Sequence, residues 1–316
     1  MGWQRPGMAI STALLMTVSA AAQAQQPDYE TTRVAEGVYK FRWQRHNGFF
    51  VVTPAGVVAF DPISVDAARR YGAEVRRIAP GAELLAVVYS HSDADHATGA
   101  AALIAAMGQT SVPIIAHEAA VPHIRRAGSA DLPEPTVTFA QRMSLAPGGR
   151  RIELHYLGKS HSDNMLVGFV PDAGVVFAVD FVSKDRMGFQ NLPGYHFPDF
   201  FDALANLLQI PFTAVVFGHG EDGDRAAIQR QIAYYDDLRA AVRKAVADGL
   251  TEDQAAERVR LEAYASWDQY AAWFPMNVRG MYRWMAASRP AARPSFELGE
   301  QAANRQREAR EHQSTG

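Results

Sequence analysis

The chain has 316 residues, 48% of them hydrophobic and 21% charged, which is enough for one large domain or two modest ones and excludes a globally disordered polypeptide. Its 31 Lys and Arg stand dispersed against 34 Asp and Glu, a net charge of −3 that argues against nucleic acid as the main partner. There is no cysteine, so neither a disulfide nor a thiolate metal ligand is available.

Residues 1–24 have the pattern of an export signal. Arg5 supplies a positive start, 8–20 is apolar, and Ala22-Gln23-Ala24 fits a small-residue cleavage site. The run falls short of the roughly 20 apolar residues of a membrane span. A periplasmic or secreted location is expected, with no stable membrane insertion once the signal is removed.

A main domain is expected over residues 25–222. Alternation at 34–61, with turn signals at Gly37, Asn47-Gly48 and Pro54-Ala55-Gly56, predicts an antiparallel meander. Val65, Ala68, Tyr71, Val75 and Ile78 recur at helical spacing until Pro80-Gly81 stops them. A strand at 84–89 follows, and Asp95 is read as opening a helix through Ala106, because the free N–H groups there favour a carboxylate. Further apolar runs at 112–116, 136–139, 152–157, 165–170, 175–178 and 214–217 read as strands. Meanders mixed with strand–helix crossovers predict an α/β chain built as a helix-covered, two-sheet sandwich.

A helical extension is expected over 223–288. Ile228, Ile232, Tyr235, Leu238, Val242 and Val246 form a stripe ended by Gly249, and Thr251-Glu252-Asp253-Gln254 has a helix-capping pattern. A final helix at 267–285 is dense in aromatics, which pack on the main domain or, in a homodimer, on a second copy. The polar stretch at 289–316 is expected to be disordered.

Residues able to bind metal fall at the ends of these strands: His91, Asp93, Asp95 and His96 in one turn, then His161, Asp180 and His219. Donors at the ends of several strands converge on one sheet edge, where a cleft can hold an ion. Tyr195 and His196 lie in the 188–198 loop after Asp180 and are candidate substrate contacts. His117 and His155, in or beside strands, read as packing or supporting residues. His46, in a hairpin turn, reads as solvated rather than as a wall of the cleft. Ser92 and Ser162 have no base partner, which disfavours a serine nucleophile.

The order and spacing resemble the metallo-β-lactamase superfamily, whose hallmark is His-x-His-x-Asp-His, then a lone His, a bridging Asp or Cys, and a final His. The matching positions are His91, Asp95, His96, His161, Asp180 and His219, with Gly48-Phe49-Phe50-Val51-Val52, Val57-Val58-Ala59-Phe60-Asp61, Phe177-Ala178-Val179-Asp180 and Gly218-His219-Gly220 around them. His161-Ser162-Asp163-Asn164 is similar to the β-lactamases proper, and Asp180 in place of Cys to the glyoxalase II branch. The resemblance implies an αββα sandwich and a dinuclear centre, with His91, Asp93 and His161 on one ion, Asp95, His96 and His219 on the other, and Asp180 bridging. Zinc is the first expectation. Asp93, where the family usually has its second His, brings in manganese or iron, because carboxylate oxygen suits harder ions. Three carboxylates and one hydroxide would cancel the charge of two divalent ions, so the water there is expected to be less acidic than at a site with His at 93.

The resemblance implies an exported metallo-hydrolase in which Asp95 has a catalytic role and water is activated against a small-molecule carbonyl or ester, β-lactams being among the candidates. The alternatives are a glyoxalase II-like thioesterase, an alkylsulfatase-like hydrolase, and a non-heme iron oxidoreductase of the flavodiiron or persulfide dioxygenase type. Nothing after Asp222 resembles the flavin module that a flavodiiron protein needs.

Overall fold

The computed structural model describes residues 1, 2 and 28–288. The expected export signal, beyond its first two residues, and the polar tail at 289–316 fall outside the described residues. The alternating N-terminal segment folds as a meander in which β1 (Tyr29–Ala35), β2 (Val38–Trp43), β3 (His46–Thr53) and β4 (Gly56–Phe60) pair antiparallel in sequence order. The first strand begins earlier than the expected residue 34. Parallel crossovers then add β5 (Leu84–Val88), β6 (Ile114–His117) and β7 (Val137–Phe139), completing a seven-stranded sheet.

The outer face of this sheet carries α1 (Val65–Ile78), α3 (Ala100–Ala106) and α4 (Ala120–Ala127), which share one apolar core with Phe41, Phe50 and Val87. Ser64 caps α1, its Oγ accepting the Ala67 N–H at 3.2 Å, and the helix buries Tyr71, which stacks on Phe41 at 4.7 Å. The single helix expected from Asp95 to Ala106 is instead two, α2 (Ala94–Ala97) and α3, with Asp93 in the capping position. Between them Gly99 has φ +101°, and a Cβ on it would stand 2.4 Å from the Ser64 carbonyl oxygen, so the chain breaks where only glycine fits.

The second sheet runs β12-β11-β10-β9-β8, from β8 (Arg142–Leu145), β9 (Ile152–Tyr156), β10 (Leu166–Val170), β11 (Val175–Ala178) and β12 (Ala214–Phe217). The sequence reading misses β8, a four-residue edge strand whose side chains are half or fully exposed. It also misses α5 (Asp199–Leu207), which follows Pro198. The two sheets meet through large rings, Phe177 stacking on Phe49 at 5.3 Å and meeting Phe60 edge-on at 5.9 Å. Each such fully buried side chain contributes about 1.5–3 kcal/mol.

The fourth layer is helical. The long helix α6 (Arg225–Ala247) starts at Asp224, whose Oδ1 accepts the Ala227 N–H at 2.9 Å, and shares a core with the second sheet through Ile228, Tyr235, Leu238 and Val242. The helix α7 (Glu252–Arg258) opens with the expected capping box of Thr251 and Gln254. In α8 (Tyr270–Ala287) the aromatics are used by their own chain: Trp273 meets Phe189 edge-on at 5.2 Å and Trp284 packs on Phe197 at 5.0 Å. The result is the expected αββα sandwich with C-terminal helices.

Strand direction decides what shares an edge. Parallel pairing sets Phe60 of β4 beside Val88 of β5, and Ala178 of β11 beside Phe217 of β12. Asp61, the 90–96 turn, Asp180 and His219 therefore leave their strands at the same edge of the sandwich.

Candidate metal centre

The seven side chains named from the sequence meet at this edge. Asp180 is central. Its Oδ2 lies 3.4 Å from His91 Nε2 and 3.7 Å from His161 Nε2, while its Oδ1 lies 3.2 Å from His96 Nε2 and 3.1 Å from His219 Nε2. Asp93 Oδ2 is 3.4 Å from both His91 and His161 Nε2, so a carboxylate fills the position where the superfamily pattern has histidine. Asp95 Oδ2 lies 3.9 Å from His96 Nε2, half exposed to the cavity above.

The donor set fits a pair of ions. Atoms bound to one ion at 2.0–2.2 Å stand about 3.0–3.5 Å apart, the spacing most of these pairs show. His91 Nε2, His96 Nε2 and Asp180 Oδ1 are buried without a hydrogen-bond partner among the described residues. Leaving such atoms unmatched costs about 1–3 kcal/mol each, and more where charge is involved, so three together call for a ligand. Backbone strain points the same way. Asp180 has φ +62°, a left-handed conformation that costs a non-glycine residue about 1–2 kcal/mol and persists where the surroundings enforce it. Gly218 allows the close approach behind His219, since a Cβ there would stand 2.9 Å from His96 Cε1.

Charge within the metal-free cluster is tightly coupled. Burial disfavours a charged His91, but the carboxylates of Asp180 and Asp93, each 3.4 Å from its Nε2, outweigh it and push the ring up to about 9. Burial also opposes ionisation of Asp180, yet the charges of His96 and His219 hold it well below the usual carboxylate range. Asp95 is pulled down to about 2 because its hydrogen bond to His46 and the charge of His96 exceed the effect of burial. An incoming ion must displace these ring protons. Since His91 keeps its proton until the pH passes about 9, metal uptake should tighten as pH rises from the ordinary histidine range toward that value. Titration of metal-free protein at several pH values, with proton release recorded, checks this.

A second layer aims the rings, and the sequence reading gave its members no role. Asp61, fully buried, accepts the Ser90 N–H at 2.8 Å on Oδ1, and on Oδ2 the Ser90 hydroxyl at 2.7 Å. The same Oδ2 lies 2.9 Å from His96 Nδ1, and Ser90 Oγ lies 2.9 Å from His91 Nδ1. One carboxylate thus orders two rings and turns both Nε2 atoms inward. The signals for Asp61 were an acid at the end of a fully apolar run and its place in the 57–61 stretch that resembles the superfamily. The arrangement predicts that Asp61→Asn weakens metal binding about 10–100-fold with the fold intact, measurable by competition with a chromophoric chelator. His219 Nδ1 similarly meets the Arg45 carbonyl at 3.0 Å. Asn164 joins two ligand loops, its Oδ1 accepting the Ser92 N–H at 2.9 Å.

The cluster lies in a cavity of about 780 Å³, large enough for a drug-sized molecule. His196 lines it, as do Arg45, Arg186, Phe189 and Trp273. Tyr195 works from behind: its hydroxyl donates to the Asp180 carbonyl at 3.2 Å and its ring lies edge-on to His161 at 5.4 Å. His117 stacks on Tyr156 at 3.9 Å and His155 pairs with Glu153 at 3.0 Å, both away from the cluster. His46 departs from its expected role. It is 28% exposed rather than solvated, and its Nε2 lies 3.2 Å from Asp95 Oδ2.

A family model of the metallo-beta-lactamase superfamily matches residues 42–219, more than half the chain and the whole span of the donor set. The chain belongs to the metallo-beta-lactamase superfamily. Members are generally hydrolases and typically bind divalent metals. Among solved structures, the metallo-beta-lactamase from Pontibacter korlensis is similar at 20% identity and TM-score 0.56, covering 65% of this chain and 97% of its own. DIM-1 metallo-beta-lactamase aligns at 20% identity and TM-score 0.55, covering 66% of this chain and 96% of its own. TMB-1 gives 20% identity and TM-score 0.56 with the same coverage of 66% and 96%. These likenesses show the superfamily fold. No curated protein sequence matches the chain significantly.

Proposed function

We propose that this superfamily member is an exported, metal-dependent hydrolase of small molecules that works with two divalent ions. The observation that carries the reading is the convergence of seven donors, three of their buried atoms without a hydrogen-bond partner among the described residues, at the base of a cavity of about 780 Å³. His91, Asp93 and His161 would hold one ion, Asp95, His96 and His219 the other, and Asp180 would give one oxygen to each. Bound there, the pair supplies an activated water and a Lewis acid for a carbonyl or ester oxygen. The remaining work belongs to the chain. Asp95, half exposed at the mouth of the cluster, is placed to accept a hydrogen bond from the attacking water and hold it toward the substrate.

The upper cavity supports a reading of the substrate class. Phe189, 45% exposed, and Trp273 form an apolar wall. Arg186 lies over the Trp273 ring at 4.9 Å and 3.4 Å from Asp268 Oδ2. Burial lowers its pKa and Asp268 opposes this, and Arg45 lines the same cavity, so two arginines contribute to its wall. An apolar body carrying an acidic group matches this lining, and β-lactams, the substrates after which the similar solved proteins are named, fit that description. Thioesters and lactones share the carbonyl electrophile, and sulfate esters offer a sulfur centre instead.

The test is metal quantification on protein purified without added metal, followed by a panel of β-lactam, lactone, glutathione thioester, phosphodiester and sulfate ester substrates. About two equivalents per chain, and turnover of one compound that stops on chelation, are expected. Fewer than about one equivalent with unchanged folding would count decisively against the reading. The Asp93 carboxylate keeps an oxidoreductase in view: native iron together with oxygen consumption would place the chain in that class instead.

A further inference from the structure

His46 opens β3, and the β2–β3 hairpin tip that carries it is fastened to the loop bearing His219. The Asn47 N–H donates to the Gly218 carbonyl at 2.8 Å, and Asn47 Nδ2 donates to the carbonyls of Phe217 at 2.9 Å and Gly220 at 3.0 Å. His46 and His219 form a two-residue antiparallel bridge, and their rings lie edge-on at 4.7 Å. The His46 side chain is therefore set by a stitched backbone and not by a free turn.

Its Nε2 points at the second half of the cluster. It is 3.2 Å from Asp95 Oδ2, and a ring nitrogen of His46, an oxygen of Asp95 and a ring nitrogen of His219 all lie within 4.8 Å of one another. Neighbouring ligand atoms on one ion stand about 3.0–3.5 Å apart. The 3.2 Å from His46 to Asp95 is such an edge, equal to the 3.2 Å from Asp180 to His96 and close to the 3.1 Å from Asp180 to His219.

We propose that His46 is a ligand of the second ion, completing a set with Asp95, His96, His219 and the shared Asp180. The assignment rests on the dinuclear reading above and makes the two positions chemically unequal. The first is built from two imidazoles and the carboxylates of Asp93 and Asp180, the second from three imidazoles and the carboxylates of Asp95 and Asp180. Imidazole suits zinc and the later divalent metals, while oxygen-rich sets suit manganese and other hard ions. The second position therefore prefers the softer metal of any pair offered. A residue that only oriented Asp95 through a hydrogen bond would not create this preference.

The experiment uses cobalt(II) as the probe, titrated into metal-free full-length protein, with bound metal counted by equilibrium dialysis and ligand-field absorption recorded. Wild type, His46→Ala and His46→Gln are compared, with unfolding midpoints of the metal-free forms as a check on folding. Wild type should bind two ions. Both variants should lose at least about 10–100-fold in affinity for one ion, with a changed absorption spectrum for that ion alone, and added imidazole should restore the spectrum in His46→Ala. Wild-type behaviour in His46→Gln, which can still donate a hydrogen bond to Asp95, would show a positioning role and overturn the assignment. Two ions bound with unchanged affinity and spectrum in both variants would overturn it as well, leaving the dinuclear centre standing. Fewer than two cobalt ions on wild type would instead defeat the dinuclear reading itself.

Discussion

Asp180→Ala should leave no more than one divalent ion per chain and lower turnover of whichever substrate is found by well over about 100-fold, beyond the usual effect of losing a supporting residue. One of its oxygens faces His91 and His161 and the other faces His96 and His219, all within 3.7 Å, so its carboxylate stands between the two halves. Without it, the buried negative charge between the two halves is gone, and two carboxylates, Asp93 and Asp95, remain to balance two dications. Elemental analysis of the purified variant gives the first readout. Retention of two equivalents at wild-type affinity would remove Asp180 as the bridge. Asp180→Asn separates charge from shape: it keeps the hydrogen-bonding outline and tolerates left-handed backbone better than alanine does, so it should fold better while binding metal nearly as poorly.

The second large effect is on stability. Asn277, on α8, is fully buried and joins three segments: Nδ2 donates to the Gly188 carbonyl at 2.8 Å and the Gln190 carbonyl at 2.6 Å, and Oδ1 accepts the Tyr234 hydroxyl at 2.6 Å. Alanine there would strand a buried hydroxyl and two carbonyls, at about 1–3 kcal/mol for each group left unmatched. A loss of about 3 kcal/mol or more is expected, a large share of the 5–15 kcal/mol typical of a folded domain. It should appear in urea unfolding as a lower midpoint with the slope unchanged. The functional consequence follows from position, since Phe189 lies between the two carbonyls that Asn277 holds. Loosening them should weaken substrate binding more than it affects metal content. A change below about 1 kcal/mol would mean that the 188–190 segment is held by something else.

Much of the site was legible because the chemistry of a donor is a local property. His91, Asp93, Asp95, His96, His161, Asp180 and His219 each follow a short apolar run, and those runs became β5, β9, β11 and β12. The α6 stripe and the Thr251 capping box were readable for the same reason, since a helix period and a cap are written within a few residues. The features that were missed are of another kind. The strand β8 is four residues at a sheet edge with little burial to mark it, and the break at Thr98-Gly99 depends on the Ser64 carbonyl, which is distant in sequence.

Sequence alone determined which residues could hold a metal, in what order they come, and that the strands they follow are buried. Tertiary structure alone decided which of them lie beside one another, that Asp61 aims two of the rings, and that His46 faces the cluster. His46 reaches Asp95 across 49 positions, and the Arg45 carbonyl reaches His219 across 174. The physical reason is that strand pairing is non-local: the pattern of a strand shows that one or both faces are buried, but which strand lies beside it is settled only when the whole sheet closes.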